Sequence, residues 1–329
     1  MKVLCLLTYG RGGSKLFHSL LDWHPDIMCF PRTLQFNGFW KGIEAGKSDP
    51  EFVVDAFIKR EPRFFSGKAW RRADNKYDKA DELGPGRDET FSVDTEKFKN
   101  MAIREIGTGE VTRAHLFMAL HRAYHEACGR AIPRDPLILY HIHAIEFADD
   151  LKACLNDFPG STYTLVITRH PVDSLKSVVN VMRMRNILST GQLLFQHKRI
   201  LRYMSHLGSL PADRTRCLTY EALLMHHKAV MLTFCDWIGI GWDDSLTRTT
   251  MHGKTWWGNG KVPRADIGPG FTVYEPKGFF ENKDWLMFRG LIGRRMSLMG
   301  YLTKREEEQR TGKVVLLGLI VLPTASEWS

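Results

Sequence analysis

The feature that most constrains this chain is its first 25 residues, where an apolar run of strand length breaks into a glycine-rich turn and then into a helix. Val3, Leu4, Cys5, Leu6 and Leu7 form the run. Tyr9-Gly10-Arg11-Gly12-Gly13-Ser14-Lys15 forms the turn, and Leu16, Phe17, Leu20 and Leu21 then recur at helical spacing until Pro25 stops the helix. Glycines let the backbone turn tightly and bare its N–H groups, while the new helix offers unpaired N-terminal donors and the positive end of its dipole. Arg11, Ser14 and Lys15 add side-chain donors, so a phosphate-like anion is expected there. The spacing is not the GxxxxGKS/T of a nucleotide triphosphatase. Nor is it the GxGxxG of a dinucleotide-binding dehydrogenase, because a lysine stands where the third glycine belongs. Taken alone, the loop fits the first turn of any α/β protein equally well.

The chain has 329 residues, 43% hydrophobic and 25% charged, which suits an ordinary globular protein able to bury a sizeable core. Its 46 basic and 37 acidic residues leave a net charge of +9, which favours a polyanionic ligand. The basic residues are spread along the chain, not gathered in arms, and this favours a small anion over nucleic acid. The six cysteines form no CxxC pair and no metal-ligand spacing, so no metal site is expected and a reducing compartment fits. The N-terminal apolar run is too short for a signal peptide, and residues 314–323 make only about half a membrane span. A soluble, cytoplasmic protein with no membrane partner is the expectation.

Along the chain, residues 27–30 read as a short strand. Residues 41–136 are rich in charges and aromatics, with a helical face of Leu116, Phe117, Leu120, Tyr124 and Ala127, and read as a largely helical insertion able to cover a site. Strands are predicted at 137–143, 163–168 and 216–220. Helices are predicted at 146–155, from Pro171 to about 185, at 193–204, at 221–238 and at 284–299. Strands alternating with helices imply an α/β fold with a central parallel sheet flanked by helices. One domain over 1–329 is expected, with a core of 1–40 and 137–300, the insertion or lid at 41–136 and a C-terminal segment at 301–329.

Arg169 stands at the carboxyl end of a predicted strand, and Ser177 lies two turns into the helix that follows; a guanidinium and a hydroxyl so placed can hold a phosphate. Taken together, these segments resemble the sulfotransferase superfamily. The stretch Thr8-Tyr9-Gly10-Arg11-Gly12-Gly13-Ser14-Lys15-Leu16 resembles its 5′-phosphosulfate loop. Thr168-Arg169-His170-Pro171 with Ser174 and Ser177 resembles its 3′-phosphate motif. Leu218-Thr219-Tyr220-Glu221-Ala222-Leu223 resembles its Tyr-Glu-Asp-Leu element, and His24-Pro25-Asp26 matches the end of the first helix in many bacterial members. The likeness covers roughly residues 1–40 and 137–240, leaves out the insertion and weakens beyond 240.

The resemblance implies a fold related to nucleotide kinases. It also implies transfer of a sulfuryl group from 3′-phosphoadenosine-5′-phosphosulfate (PAPS) to an acceptor hydroxyl or amine, with 3′-phosphoadenosine-5′-phosphate (PAP) as product and no metal. Carried over by position, Arg11 would act near the bridging oxygen and Gly12, Gly13, Ser14, Lys15 and Leu16 would cradle the 5′-phosphate. Arg169 and Ser177 would bind the 3′-phosphate, and Tyr220 would face the adenine. Lys277 keeps part of a C-terminal Arg-Lys-Gly element that binds the 3′-phosphate in soluble members.

Members of the family use a glutamate or a histidine as base. The stretch after the first helix, Cys29-Phe30-Pro31-Arg32-Thr33, holds no carboxylate before Glu44, which shifts the expectation to Tyr140-His141-Ile142-His143. Strand alternation puts His141 and His143 on one face, with His143 preferred as nearer the strand end. The aromatic-rich insertion points to a small organic acceptor such as a secondary metabolite, and Trp256-Trp257 either line its pocket or pack a loop. The rival readings are a nucleotide kinase of related fold, which lacks its lysine and acidic magnesium ligands here, and a nucleic-acid-binding protein, which rests on charge alone.

Overall fold

In the computed structural model, β1 (Lys2–Thr8) is buried from Val3 onward, as an unbroken apolar run must be when both faces of a parallel sheet are covered. The structure describes residues 1–8, 10–43, 49–71, 79–108, 111–142, 147–184 and 210–258, together with 186, 187, 189 and 195. Strand β1 pairs in parallel with β3 (Leu137–His141) on one side and β4 (Thr162–Thr168) on the other. Outside these lie β2 (Ile27–Met28) and β5 (Thr215–Thr219), giving the order β2-β3-β1-β4-β5, parallel throughout. Strands β2 and β5 are the edges, and Arg216 and Cys217 of β5 are exposed.

The chain runs from β1 outward to β2, but from β4 outward to β5 in the opposite direction. Sequence order therefore reverses at the β1–β4 pair, where Thr8 lies opposite Ile167, and open α/β sheets bind ligands beyond the carboxyl ends of such strands. The glycine loop starts there.

Contacts divide the chain into two units, Met1–Thr168 with Leu210–Phe271 and Arg169–Ser209 with Thr272–Ser329. The first holds the sheet, α1 (Ser14–Leu21) and α2 (Phe36–Gly42). It also holds α3 (Pro50–Arg60), α4 (Pro62–Phe65), α5 (Thr95–Ile106) and α6 (Arg113–Ala127), which confirm a largely helical insertion. The second contains α8 (Pro171–Met184), while α7 (Phe147–Asp157), α9 (Tyr220–Met225) and α10 (His227–Ile238) belong to the first. Each long insertion helix starts at a short polar side chain that accepts a backbone N–H: Asp49 at α3, Asp94 at α5 and Thr112 at α6.

Three elements differ from the sequence expectation. The helix expected at 221–238 is two, broken at His226 (φ −128°, ψ 37°), because the apolar stripe of Leu223, Met231, Phe234 and Ile238 serves one core on both sides of the break and leaves no mark in the periodicity. Only Ile27 and Met28 of 27–30 join the sheet, since Phe30 turns away to stack on Phe64 at 4.8 Å. The ladder of β3 ends at His141, and the segment expected at 284–299 lies outside the described residues, as do 193, 194 and 196–204 of the helix expected at 193–204. Among the described residues no helix is long and apolar enough to cross a membrane.

The aromatics of the insertion form its own core. Phe30 meets Phe57, Phe64 and Tyr124; Phe98 meets Phe57 and Phe65; and the Tyr124 hydroxyl donates to the Phe64 carbonyl at 2.6 Å. His121 is buried in the same core, its Nδ1 2.7 Å from the Phe117 carbonyl.

Burial pushes His18, His121 and His125 each down to about 4. The unfolded chain then binds more protons than the native one between about pH 6.5 and 4, so the stability these groups contribute is whole above pH 6.5 and is lost as pH falls through that window. At pH 5 the expected loss is about 2 kcal/mol for each histidine. The urea midpoint should drop steeply between pH 7.5 and 5.0; an unchanged midpoint would mean these imidazoles charge without opening the fold.

Candidate functional site

The site begins where β1 stops. Gly10 (φ 89°), Arg11 (φ 54°) and Gly13 (φ 97°) all sit in the left-handed region, which winds the chain tightly enough to deliver it into α1. A Cβ on Gly12 would come within 2.6 Å of Thr8 Oγ1, and one on Gly13 within 2.2 Å of Tyr220 Cδ2. The loop backbone is thus pressed between the end of β1 and the Tyr220 ring, at the first residue of α9. Gly13 is the N-cap of α1 and brings no side chain, so no side chain caps the first-turn N–H groups of Ser14, Lys15 and Leu16, and the cations Arg11 and Lys15 are exposed.

Next to Ser14, reached through its contact with His141, lies a small cleft. Helix α1 supplies Lys15, His18 and Asp22 to its wall, the loop after β2 supplies Arg32, β3 supplies His141, and the hairpin of β6 (Thr250–Met251) and β7 (Lys254–Thr255) supplies Thr250, with Trp256 just beyond. Asp22 secures that hairpin: its Oδ2 accepts from Thr250 Oγ1 and from the Gly253 N–H, each at 2.9 Å.

Burial, aided by Arg63 and opposed by Glu61, pushes the Arg32 guanidinium down to about 9. His141 Nε2 is 3.0 Å from Ser14 Oγ, and its Nδ1 is 3.2 Å from Nδ1 of His18, whose Nε2 lies 3.0 Å from the Phe30 carbonyl. A hydrogen-bonded chain therefore runs from the insertion core to Ser14, the first residue of α1.

The structure brings Ser14, Lys15 and His141 together, sets Gly12 against Thr8 and sets Gly13 against Tyr220. Arg169 follows β4 directly and Ser177 lies half-buried in α8; both belong to the second unit, where Asp173 pairs with Lys176 at 3.2 Å. His143, Glu44 and Lys277 lie outside the described residues. Of the tryptophan pair, Trp256 lines the cleft, whereas Trp257 donates to the Gly84 carbonyl at 2.7 Å and carries Arg87 over its ring. The His24-Pro25-Asp26 turn is structural: His24 Nδ1 accepts the Asp26 N–H, which leaves Nε2–H to donate to the Gly241 carbonyl. His227, buried, places Nε2 2.8 Å from the Leu246 carbonyl.

Sequence reading passed over His18, Asp22 and Arg32. For the first two a signal existed: Ser14, His18 and Asp22 are spaced by four, a polar line along a helix otherwise buried through Phe17, Leu20 and Leu21. Arg32 carried none, since its burial depends on the insertion folding over it.

A family model described as the sulfotransferase family matches residues 5–244. No curated protein matches the chain. Among solved structures, the sulfotransferase domain from the curacin biosynthetic pathway aligns with 92% of this chain and 98% of its own, at 13% identity and a TM-score of 0.51, which bears on the fold alone. The sulfotransferase domain of the Synechococcus PCC 7002 olefin synthase aligns with 75% of this chain and 76% of its own, at 16% identity and a TM-score of 0.44. A sulfotransferase from Alicyclobacillus acidocaldarius aligns over 93% and 98%, at 14% identity and 0.41.

Proposed function

Because the chain belongs to the sulfotransferase family, we propose that it transfers a sulfuryl group from PAPS to the hydroxyl or amine of a small organic acceptor. The observation that carries this reading is the meeting, at Ser14, of an anion loop and a cleft walled by an imidazole. The donor set fits a phosphosulfate: first-turn N–H groups, the cations Arg11 and Lys15, and a glycine floor that a Cβ would fill.

When bound, PAPS supplies the activated sulfuryl group and its phosphate leaving group. Gly12 to Leu16 hold the 5′-phosphate end through backbone N–H groups. Arg11 and Lys15 offset the charge that grows on the leaving oxygen, a role for fixed donors that need no rearrangement at the moment of reaction. Arg169 and Ser177 hold the 3′-phosphate, with Lys277 as a further ligand, and Tyr220 supports the loop from behind Gly13 while its α9 end borders the nucleotide. The cleft orients the acceptor. Of the two histidines in its wall, His141 is the one beside Ser14, and it takes the acceptor proton at Nε2 once Ser14 yields that lone pair; His143, the histidine preferred from the sequence, is the alternative base.

A titration with PAP, ATP and a random DNA duplex, each without magnesium, tests the reading. PAP should bind at least about 100-fold more tightly than ATP, a difference of about 2.7 kcal/mol, and the duplex should compete for neither. No binding of PAP would sink the assignment; tight ATP binding that needs magnesium would favour the kinase reading.

A further inference from the structure

Resting on that reading, we propose that His18, which lies one turn into α1 and meets His141 at the end of β3, is the positioning residue that fixes the tautomer of His141. The geometry leaves little choice. His18 Nε2 faces a carbonyl oxygen, that of Phe30, at 3.0 Å and must carry a proton, because a lone pair there would meet another lone pair. His18 is buried, 5% exposed, and burial holds its pKa at about 4 despite the Asp22 carboxylate, which opposes the shift, while Lys15 and Arg32 add to it. It is therefore neutral near pH 7, with a lone pair on Nδ1.

The 3.2 Å contact between the two Nδ1 atoms then requires the proton to sit on His141 Nδ1. In neutral His141 the lone pair falls to Nε2, 3.0 Å from Ser14 Oγ, whose hydroxyl donates to it. Proton positions are thus set in order from the Phe30 carbonyl to the loop.

Two properties follow. The nitrogen that can act as base is the one at the mouth of the anion loop, and it is masked by Ser14 until that hydroxyl turns elsewhere. Removing His18 takes away the lone pair that faces Nδ1–H of His141 at 3.2 Å, and with it the contact that disfavours the other tautomer, in which the proton sits on the nitrogen that must accept one. A base held in the wrong tautomer loses on the order of 100-fold or more in rate.

The test combines a spectrum with kinetics. Imidazole 15N–1H correlation spectra of the full chain, assigned by single substitutions, should show His18 protonated at Nε2 and His141 at Nδ1. A proton on Nε2 of neutral His141 overturns the proposal whether or not the protein proves to be a sulfotransferase. His18→Phe should lower kcat about 100-fold and leave the Kd for PAP within about threefold. His18→Asn, whose amide oxygen can replace the Nδ1 acceptor, should restore most of the rate. Equal losses in both variants, with PAP binding and melting temperature intact, would overturn the tautomer role, as would wild-type turnover in His18→Phe. Absence of PAP binding and of sulfuryl transfer in the unsubstituted protein would instead count against the sulfotransferase reading and leave the spectrum to decide the tautomer.

Discussion

Replacing Arg11 with alanine should lower sulfuryl transfer by about 1,000-fold or more, the scale on which a cation at a developing negative charge contributes in group transfer from nucleotides. Arg11 sits between Gly10 and Gly12 in the left-handed region, exposed and outside the buried core, so truncating it removes a charge without opening a cavity. Alanine is no worse than arginine at φ 54°, since both carry the Cβ that makes this region costly. Binding of PAP, which lacks the transferred group, should weaken by no more than about tenfold, because the first-turn N–H groups and Lys15 remain. The measurement is the initial rate of radiolabelled sulfate transfer at saturating donor, alongside calorimetry with PAP. Arg11→Lys should recover part of the rate as a point charge without the planar fork. A rate within threefold of the unsubstituted protein would show that the loop has been misread.

The second large effect belongs to Gly13→Ala. The new Cβ would lie 2.2 Å from Tyr220 Cδ2 and 3.0 Å from Cε2, against a ring that is buried at the start of α9, and the residue would still have to hold φ 97°. The left-handed backbone costs about 1–2 kcal/mol, and forcing the ring aside about 1–3 kcal/mol. A loss near 3 kcal/mol in denaturant unfolding is expected, with a fall in transfer on the order of 100-fold from displacement of the loop. Tyr220→Ala separates the two terms. In that background Gly13→Ala should cost only about 1 kcal/mol, the backbone part. Equal costs in both backgrounds would mean that the ring does not confine the loop.

The legible parts of this fold are those written in short-range pattern. The apolar runs of β1 and β4 mark central strands because both their faces are covered, and Gly10, Gly13 and Pro171 punctuate the units around them. The parallel α/β architecture followed from strands alternating with helices, and the loop followed from glycine spacing. The break at His226 was not legible, because the apolar stripe of α9 and α10 continues across it. The use of the insertion's aromatics was not legible either. Phe57, Phe64 and Phe98 read the same whether they line a substrate pocket or a core, and only their mutual packing with Phe30 and Tyr124 places them in a core.

The sequence by itself determined the strand, turn and helix at the head of the chain, because that geometry depends on residues within a few positions of one another. The tertiary structure decided what stands beside the loop. Ser14, His18 and Asp22 share one face of α1, but Arg32, His141 and Thr250 reach them only because β3 pairs with β1 and the hairpin is tied to Asp22. Which nitrogen of His141 holds a proton is set by a carbonyl at Phe30, two contacts away and 111 positions earlier (141 − 30) in the chain. Local pattern records how a segment folds, and a proton's place depends on the neighbours that burial brings.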